Sequence, residues 1–275
     1  MKAIRQLIRN PFTRGAFFSL CVIAFVGIFS PLLTPYSPID AKPEDRLLPP
    51  GHLHYFGTDE LGRDIFSRII AGTRVSVGIA LFAILLSALV GTFIGSFSGF
   101  IGRWIDQVIM RSTDVLLAFP TLVLALALSA ALGPSIVNAA LAIAIVKLPI
   151  YTRLARTQAL SVSHTLFVKA AKTFGVSSPW IVRRHIVPNL LTPIIVQISL
   201  DIGDAILLIA TLGFLGLGAQ PPTPEWGAMI STGWNYLLDQ WWYPTFTGAA
   251  IFIAVIVFNI IGDGIRDLLD PKAGE

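Results

Sequence analysis

This sequence is poor in charge. Only 13% of its 275 residues are Asp, Glu, Lys or Arg, against 54% that are hydrophobic. A water-soluble domain carries roughly a quarter charged residues. Too few polar groups are therefore present to cover a surface in water, and the apolar excess, with a mean hydropathy of +0.74, must face lipid. Cysteine is nearly absent: Cys21 alone excludes an intrachain disulfide, and its place inside an apolar run marks it as a small packing residue. The four histidines are scattered and none falls within an apolar span, so neither a metal-ligand spacing nor the convergent side chains of a membrane enzyme can be found. No Gly-x-x-x-x-Gly-Lys-Ser/Thr phosphate loop occurs, so if ATP drives this protein another chain hydrolyses it. The net charge of +4 does not imply nucleic acid, because the basic residues flank apolar spans instead of forming a patch with stacking aromatics.

What is present is a series of long apolar runs. About 20 apolar residues in a helix cross a hydrocarbon core of ~30 Å, and six stretches qualify: 16–34, 75–100, 115–133, 136–152, one within 190–218 and one within 244–262. Gly133-Pro134-Ser135 turns the third and fourth into a hairpin. The first run is longer than a signal-peptide core, and Pro31 and Pro35 stand where small residues would mark cleavage, so it is an uncleaved helix. The chain is thus an all-α polytopic membrane protein of about six transmembrane helices. Its parts are an amino-terminal segment 1–15, the first span 16–34, an outer segment 35–74, a five-helix core 75–262 and a tail 263–275. With the amino terminus inside, fourteen of the 20 Lys and Arg lie on the inner side, five lie outside and Lys147 lies within a span, which places both termini in the cytoplasm.

Three connections are longer than turns. In 35–74, Thr58 reads as the N-cap of an amphipathic helix, with Asp59 and Glu60 in its first turn and Ile65, Phe66, Ile69 and Ile70 as its apolar stripe. The inner loop 153–188 holds six basic residues and no acidic one, and reads as two short helices around a turn. Phe167, Ala170, Ala171 and Phe174 give the first an apolar face, and Gly175 suits a left-handed helix end. Ser178 and Pro179 read as the N-cap and N1 of the second, which carries Ile181, Val182, His185 and Ile186 and ends where Pro188 and Asn189 open the fifth span. Such an elbow suits a groove on another protein; the alternative is a basic amphipathic helix resting on anionic headgroups. The outer loop 219–243 has no Lys or Arg.

Five motifs in order resemble the membrane permeases of ATP-binding-cassette importers for dipeptides, oligopeptides and nickel, of the second-permease type. They are Phe56 to Arg68; the coupling pattern Lys169-Ala170-Ala171, Gly175 and His185-Ile186-Val187-Pro188; Phe214 to Gly218; Pro221 to Gly227; and Asn259 to Pro271. Lys169 stands where the general pattern has Glu, and His185 and Val187 where it has Ile and Leu, which speaks against the pattern's ionic role at the first position and not against docking. The resemblance implies a type I importer permease fold and a translocation pathway for di- or oligopeptides or nickel complexes. It also implies four kinds of partner: a homologous second permease, two ATPase subunits that hold ATP and magnesium, a periplasmic or lipid-anchored binding protein, and membrane lipid. No cofactor is expected in this chain itself. An ion-gradient-driven secondary transporter is the alternative class, with Asp201, Asp204 and Lys147 as its relay; against it, no inverted repeat is visible.

Asp201 and Asp204 lie one helical turn apart near the inner half of the fifth span, where carboxylates face a cavity or a partner. They either line the pathway and meet a cationic group or pair with Lys147, whose own simplest reading is snorkelling to the interface. His52 and His54 read as an incidental pair on an exposed loop, and His164 and His185 as docking-loop contacts. Trp226, Trp234, Trp241, Trp242 and Tyr243 anchor the outer interface, with Trp226, Trp234 and the stiff Pro222 region also candidates to meet the binding protein. Gly213, Gly216 and Gly218 allow close helix packing.

Overall fold

A computed structural model describes residues 11–269, so the terminal basic residues Lys2, Arg5, Arg9 and Lys272 and the end of the last motif lie outside the described residues. The helices are α1 (Pro11–Leu33), α2 (Ile65–Ile101), α3 (Arg103–Leu117), α4 (Thr121–Leu132), α5 (Ile136–Ser163), α6 (Leu166–Thr173), α7 (Ser178–Phe214), α8 (Trp226–Trp234) and α9 (Trp242–Leu269). Five of these are long and apolar enough to cross a membrane, and α3 with α4 form a sixth candidate that is bent by 95°.

The expected boundaries shift for identifiable reasons. The amphipathic stripe at Ile65 does not form a separate helix: α2 runs unbroken for 37 residues, because no Pro separates stripe from span and Thr73 between them donates its hydroxyl back to the Ile69 carbonyl at 3.0 Å instead of capping a new helix. Its N-cap is Asp64, whose carboxylate accepts from the Ser67 N–H at 2.7 Å, not Thr58, which bridges to Asp64 in extended backbone. The third span is cut at Pro120, leaving α4 with twelve residues, or ~18 Å, too short to cross alone. Helix α5 continues past Thr152 to Ser163, because Arg153 and Arg156 find Asp114 and Asp106 of α3 at 2.7 and 2.6 Å.

The bundle is centred on α2 against α5. Gly91, Gly95 and Gly99 fall one helical turn apart, and a Cβ at each would run into backbone or Cβ atoms of α5: Tyr151 Cβ at 2.7 Å from Gly91, the Thr152 carbonyl from Gly95, and the Arg156 carbonyl at 2.6 Å from Gly99. Two helices with few other attractive forces in lipid gain dispersion by such close approach. Ser87 bridges the same seam, its hydroxyl donating to the Ala144 carbonyl at 2.7 Å.

The two ends of the bundle differ. One, the platform end, gathers residues 34–64, the start of α2, the Phe214-to-Trp241 connection with α8, and the start of α9. There Asp59 accepts from the Leu61 and Arg63 N–H groups and from the Arg63 side chain, and Arg68 donates to the Pro38 carbonyl. Tyr243 donates to Glu60 at 2.8 Å, tying α9 to this segment. His54 is buried with Nδ1 2.9 Å from Asp64 Oδ1, so the loop histidine is a structural partner of the α2 cap and not an exposed one. The opposite, elbow end holds α3, the ends of α2 and α5, α6 and the start of α7.

Candidate functional site

The elbow is built by local rules. Helix α6 has eight residues and ends in paired bonds: the Gly175 N–H donates to the Lys172 carbonyl at 3.0 Å and the Val176 N–H to Ala171 at 3.1 Å, with Gly175 at φ +75°. This is the double closure that a left-handed glycine permits, so the role read for Gly175 is the one found. Helix α7 starts one residue earlier than expected: Ser177 is its cap, without a side-chain bond, and Pro179 takes the second position, where its missing N–H is equally harmless. Pro188 and Asn189 do not open a new span, because α7 runs continuously from Ser178 to Phe214. Between them Val182–Ile186 widens into a π-turn closed by the Val187 N–H on the Val182 carbonyl. That widening relieves the clash a proline at 188 makes with the carbonyl four residues before it.

The elbow has an inward and an outward face. Val168, Ile181, Val182 and Ile186 are buried in the main core. Leu166 and Phe174 are 84% and 85% exposed, and Phe167, Lys169, Ala170, Gly175 and Pro188 are exposed beside them, with Ala171 half-buried. His185 is bracketed by Phe167 and Trp180, with ring centroids 5.9 and 5.2 Å away. Trp180 is a member of this surface that sequence reading passed over; a Trp beside a helix start in a stretch free of acid was the available signal.

The second constellation lies midway along the bundle. Lys147 Nζ of α5 stands 2.8 Å from Asp201 Oδ1 and 3.3 Å from Asp204 Oδ2 of α7, and Gln197 donates to the other Asp201 oxygen at 3.0 Å. Lys147 does not snorkel: with α5 extended to Ser163 it sits near mid-helix, and it is buried. Asp201 is buried too, and because α7 stops at Phe214 it falls near the middle of its span instead of in the inner half. Asp204 differs, with 64% of its side chain exposed. One ammonium against two carboxylates leaves one negative charge, presented at the exposed Asp204 oxygens.

At the platform, Trp226 is not available to a partner: it is 2% exposed and its indole N–H donates to the Ile69 carbonyl at 3.1 Å. It is a wedge between α8 and α2, whereas Trp234 and Pro222 are exposed. Trp242 and Tyr243 are likewise buried, packed on Ile65. Beside Trp226, the fully buried Glu225 caps α8, accepting from the Gly227 and Ala228 N–H groups, both at 2.8 Å, and from the Ser76 hydroxyl at 3.3 Å. Burial pushes its carboxyl above the ordinary value, against the pull of those donors. Among the described residues no group of three or more His, Cys, Asp or Glu could hold a metal ion.

Comparison with known proteins bears on this arrangement. Residues 91–275 match the family described as binding-protein-dependent transport system inner membrane component, and residues 1–50 match the N-terminal transmembrane domain of oligopeptide transport permease C. The chain is 51% identical to a probable D,D-dipeptide transport system permease protein of Escherichia coli, over 99% of this chain and 92% of that one. It is 46% identical to a dipeptide transport system permease protein of Alkalihalophilus pseudofirmus, over 98% and 89%. It is 38% identical to a glutathione transport system permease protein of Pectobacterium atrosepticum, over 98% and 89%.

Proposed function

We propose that this chain, which belongs to the family of binding-protein-dependent transport system inner membrane components, carries dipeptides or other short peptides inward as one of two homologous permeases in an ATP-driven importer. The observation that carries the reading is the elbow: eight residues of helix and a Schellman-type turn hold Leu166, Phe167, Phe174 and Trp180 out of the fold, at the end of the bundle where acid is absent from residues 153–188. Large apolar side chains left this exposed beside one another mark a protein–protein contact. The partner we assign to it is a separate ATPase subunit on the cytoplasmic side, which binds the ATP and magnesium. In this reading both termini are cytoplasmic and the platform end faces a substrate-binding protein, with Trp234 and Pro222 on the exposed surface.

The mechanism follows from rigidity. Trp180 and Pro188 of the elbow and Asp201 belong to one continuous helix, α7, with Trp180 near one end and the carboxylates some 20 residues on, about 30 Å along the axis. Closure of the ATPases on each other moves the elbow, and α7 transmits that displacement to the centre of the bundle. There Lys147 and Asp201 fix the helix pair α5–α7, while Asp204 offers a carboxylate of net negative charge, suited to the ammonium of a peptide. An ion-driven relay would use the same three residues, but membership of a binding-protein-dependent family favours their use as a strut and a cation contact.

The test is to purify the tagged chain in mild detergent, identify the chains that accompany it, and measure ATP hydrolysis as dipeptides are added with the accompanying binding protein. An ATPase chain and peptide-stimulated hydrolysis are expected. A chain that transports alone, without either, would contradict the reading.

A further inference from the structure

The elbow end carries a second feature that peptide transport does not use. A groove of about 450 Å³ is lined by Phe93, Ile94 and Phe97 of α2 and by Pro179, Val182 and Arg183 of α7. Arg183 also lines an adjoining cleft of about 500 Å³ with Trp180, Arg184 and Pro188. Arg183 and Arg184 are both exposed, and no ion pair among the described residues includes them; the other two arginines of residues 153–188 are held by Asp106 and Asp114. A further cation stands close by, since Lys172 Nζ lies 4.1 Å over the ring of Phe100, one turn from Phe97.

We infer that this is a binding site for one anionic phospholipid of the leaflet on the elbow's side, with its phosphate on Arg183 and Arg184 and an acyl chain along Phe93, Ile94 and Phe97. Charge complementarity and depth together select this occupant. Two cations without acidic partners call for an anion. The apolar half of the site excludes a water-soluble supplier of it, because Phe93 lies eight residues, or about 12 Å, inside the end of a membrane-spanning helix. An acidic ATPase surface can reach Arg184, but it cannot fill the groove beside Phe93. Basic pockets between spans beside an apolar cleft are suited to anionic headgroups. The occupied site would brace the first turns of α7 against α2, next to the surface assigned above to the ATPase.

The experiment uses the full complex in nanodiscs of phosphatidylcholine, with and without an equal part of phosphatidylglycerol. Because both leaflets have one composition, the result is independent of the orientation proposed above. Native mass spectrometry should find one phosphatidylglycerol retained in preference to phosphatidylcholine. The double substitution Arg183→Gln with Arg184→Gln should weaken that retention roughly thirtyfold. Ile94→Trp, which fills the groove and leaves both charges, should also expel the lipid, and it decides the matter if the double variant fails to fold. The ATPase should remain bound to Ile94→Trp. Retention equal in parent and variants, or no preference for phosphatidylglycerol, overturns the site. So does loss of the ATPase from the double variant with the lipid still in place, which would hand the two arginines to the ATPase.

Discussion

The platform end and the elbow end are built from the same chain by opposite principles. At the platform, charged groups are many and closed upon one another: Asp59 with Arg63 and Arg68, Asp64 with His54, Glu60 with Tyr243, Glu225 with three donors. In the elbow itself, residues 164–188, apolar groups face outward and the charges are of one sign, with Leu166, Phe174, Trp180, Lys169, Arg183 and Arg184 exposed, while the acids of the neighbouring α3 are taken by Arg153 and Arg156. A fold that pairs these charges at one end leaves the other to be completed by something else. Substitutions at the two ends should therefore separate: those in the closed parts unfold the protein, and those at the elbow leave it folded and inert.

The seam joining both ends should be the most sensitive. Gly95→Leu drives a side chain into the Thr152 and Arg156 backbone, and a loss of about 3 kcal/mol or more is expected. Size-exclusion profiles and thermal unfolding in detergent should show little or no folded chain. Next is Lys147→Met, which leaves Asp201 buried without a counterion at a cost of about 3–5 kcal/mol. Combining it with Asp201→Asn should recover much of that stability; if the double variant is no better than the single, the strut account of α5–α7 is wrong.

At the elbow the pattern inverts. Phe174→Ala removes a side chain that touches little of its own fold, so the unfolding temperature should hold while coupled uptake falls about tenfold. A fall in both would erase the contrast between the ends. Asp204→Asn, between them, should reduce uptake of peptides with a free ammonium by about threefold to tenfold and spare N-acylated ones. Equal loss for both would remove the cation contact.

The smallest effect concerns Glu225. Its folded value is raised above the ordinary 4.5, so the folded state favours the protonated carboxyl. That contribution to stability is fully present below the unfolded value and is lost as pH rises through the folded one. Glu225→Gln cannot titrate, so the unfolding temperature of the parent should fall relative to this variant as pH rises from 4.5 upward. Parallel curves would show that burial of Glu225 has no proton linkage.

Features that rest on neighbours in sequence were legible, and those that rest on distant partners were not. The Gly133-Pro134 turn, the Gly175 helix end and the apolar spans each follow from a few adjacent residues. Arg153 and Arg156 read as loop charges because their acids on α3 lie 39 and 50 positions away. Lys147 read first as a snorkelling side chain for the same reason, its acids being 54 and 57 positions along, although a pair with Asp201 and Asp204 stood as the other reading. Trp226 read as surface because an aromatic in a loop gives no sign that a carbonyl of α2, 157 positions back, accepts its N–H. Pro120 was visible, but the apolar run on both sides of it concealed the 95° bend.

The account stands on the outward face of the elbow being gripped by an ATPase. A photo-crosslinking residue placed at Phe174, irradiated in native membranes of cells that make the whole importer, tests this most directly. An ATP-dependent adduct with the ATPase chain is predicted. Adducts with lipid alone, or with a protein on the far side of the membrane, would contradict it.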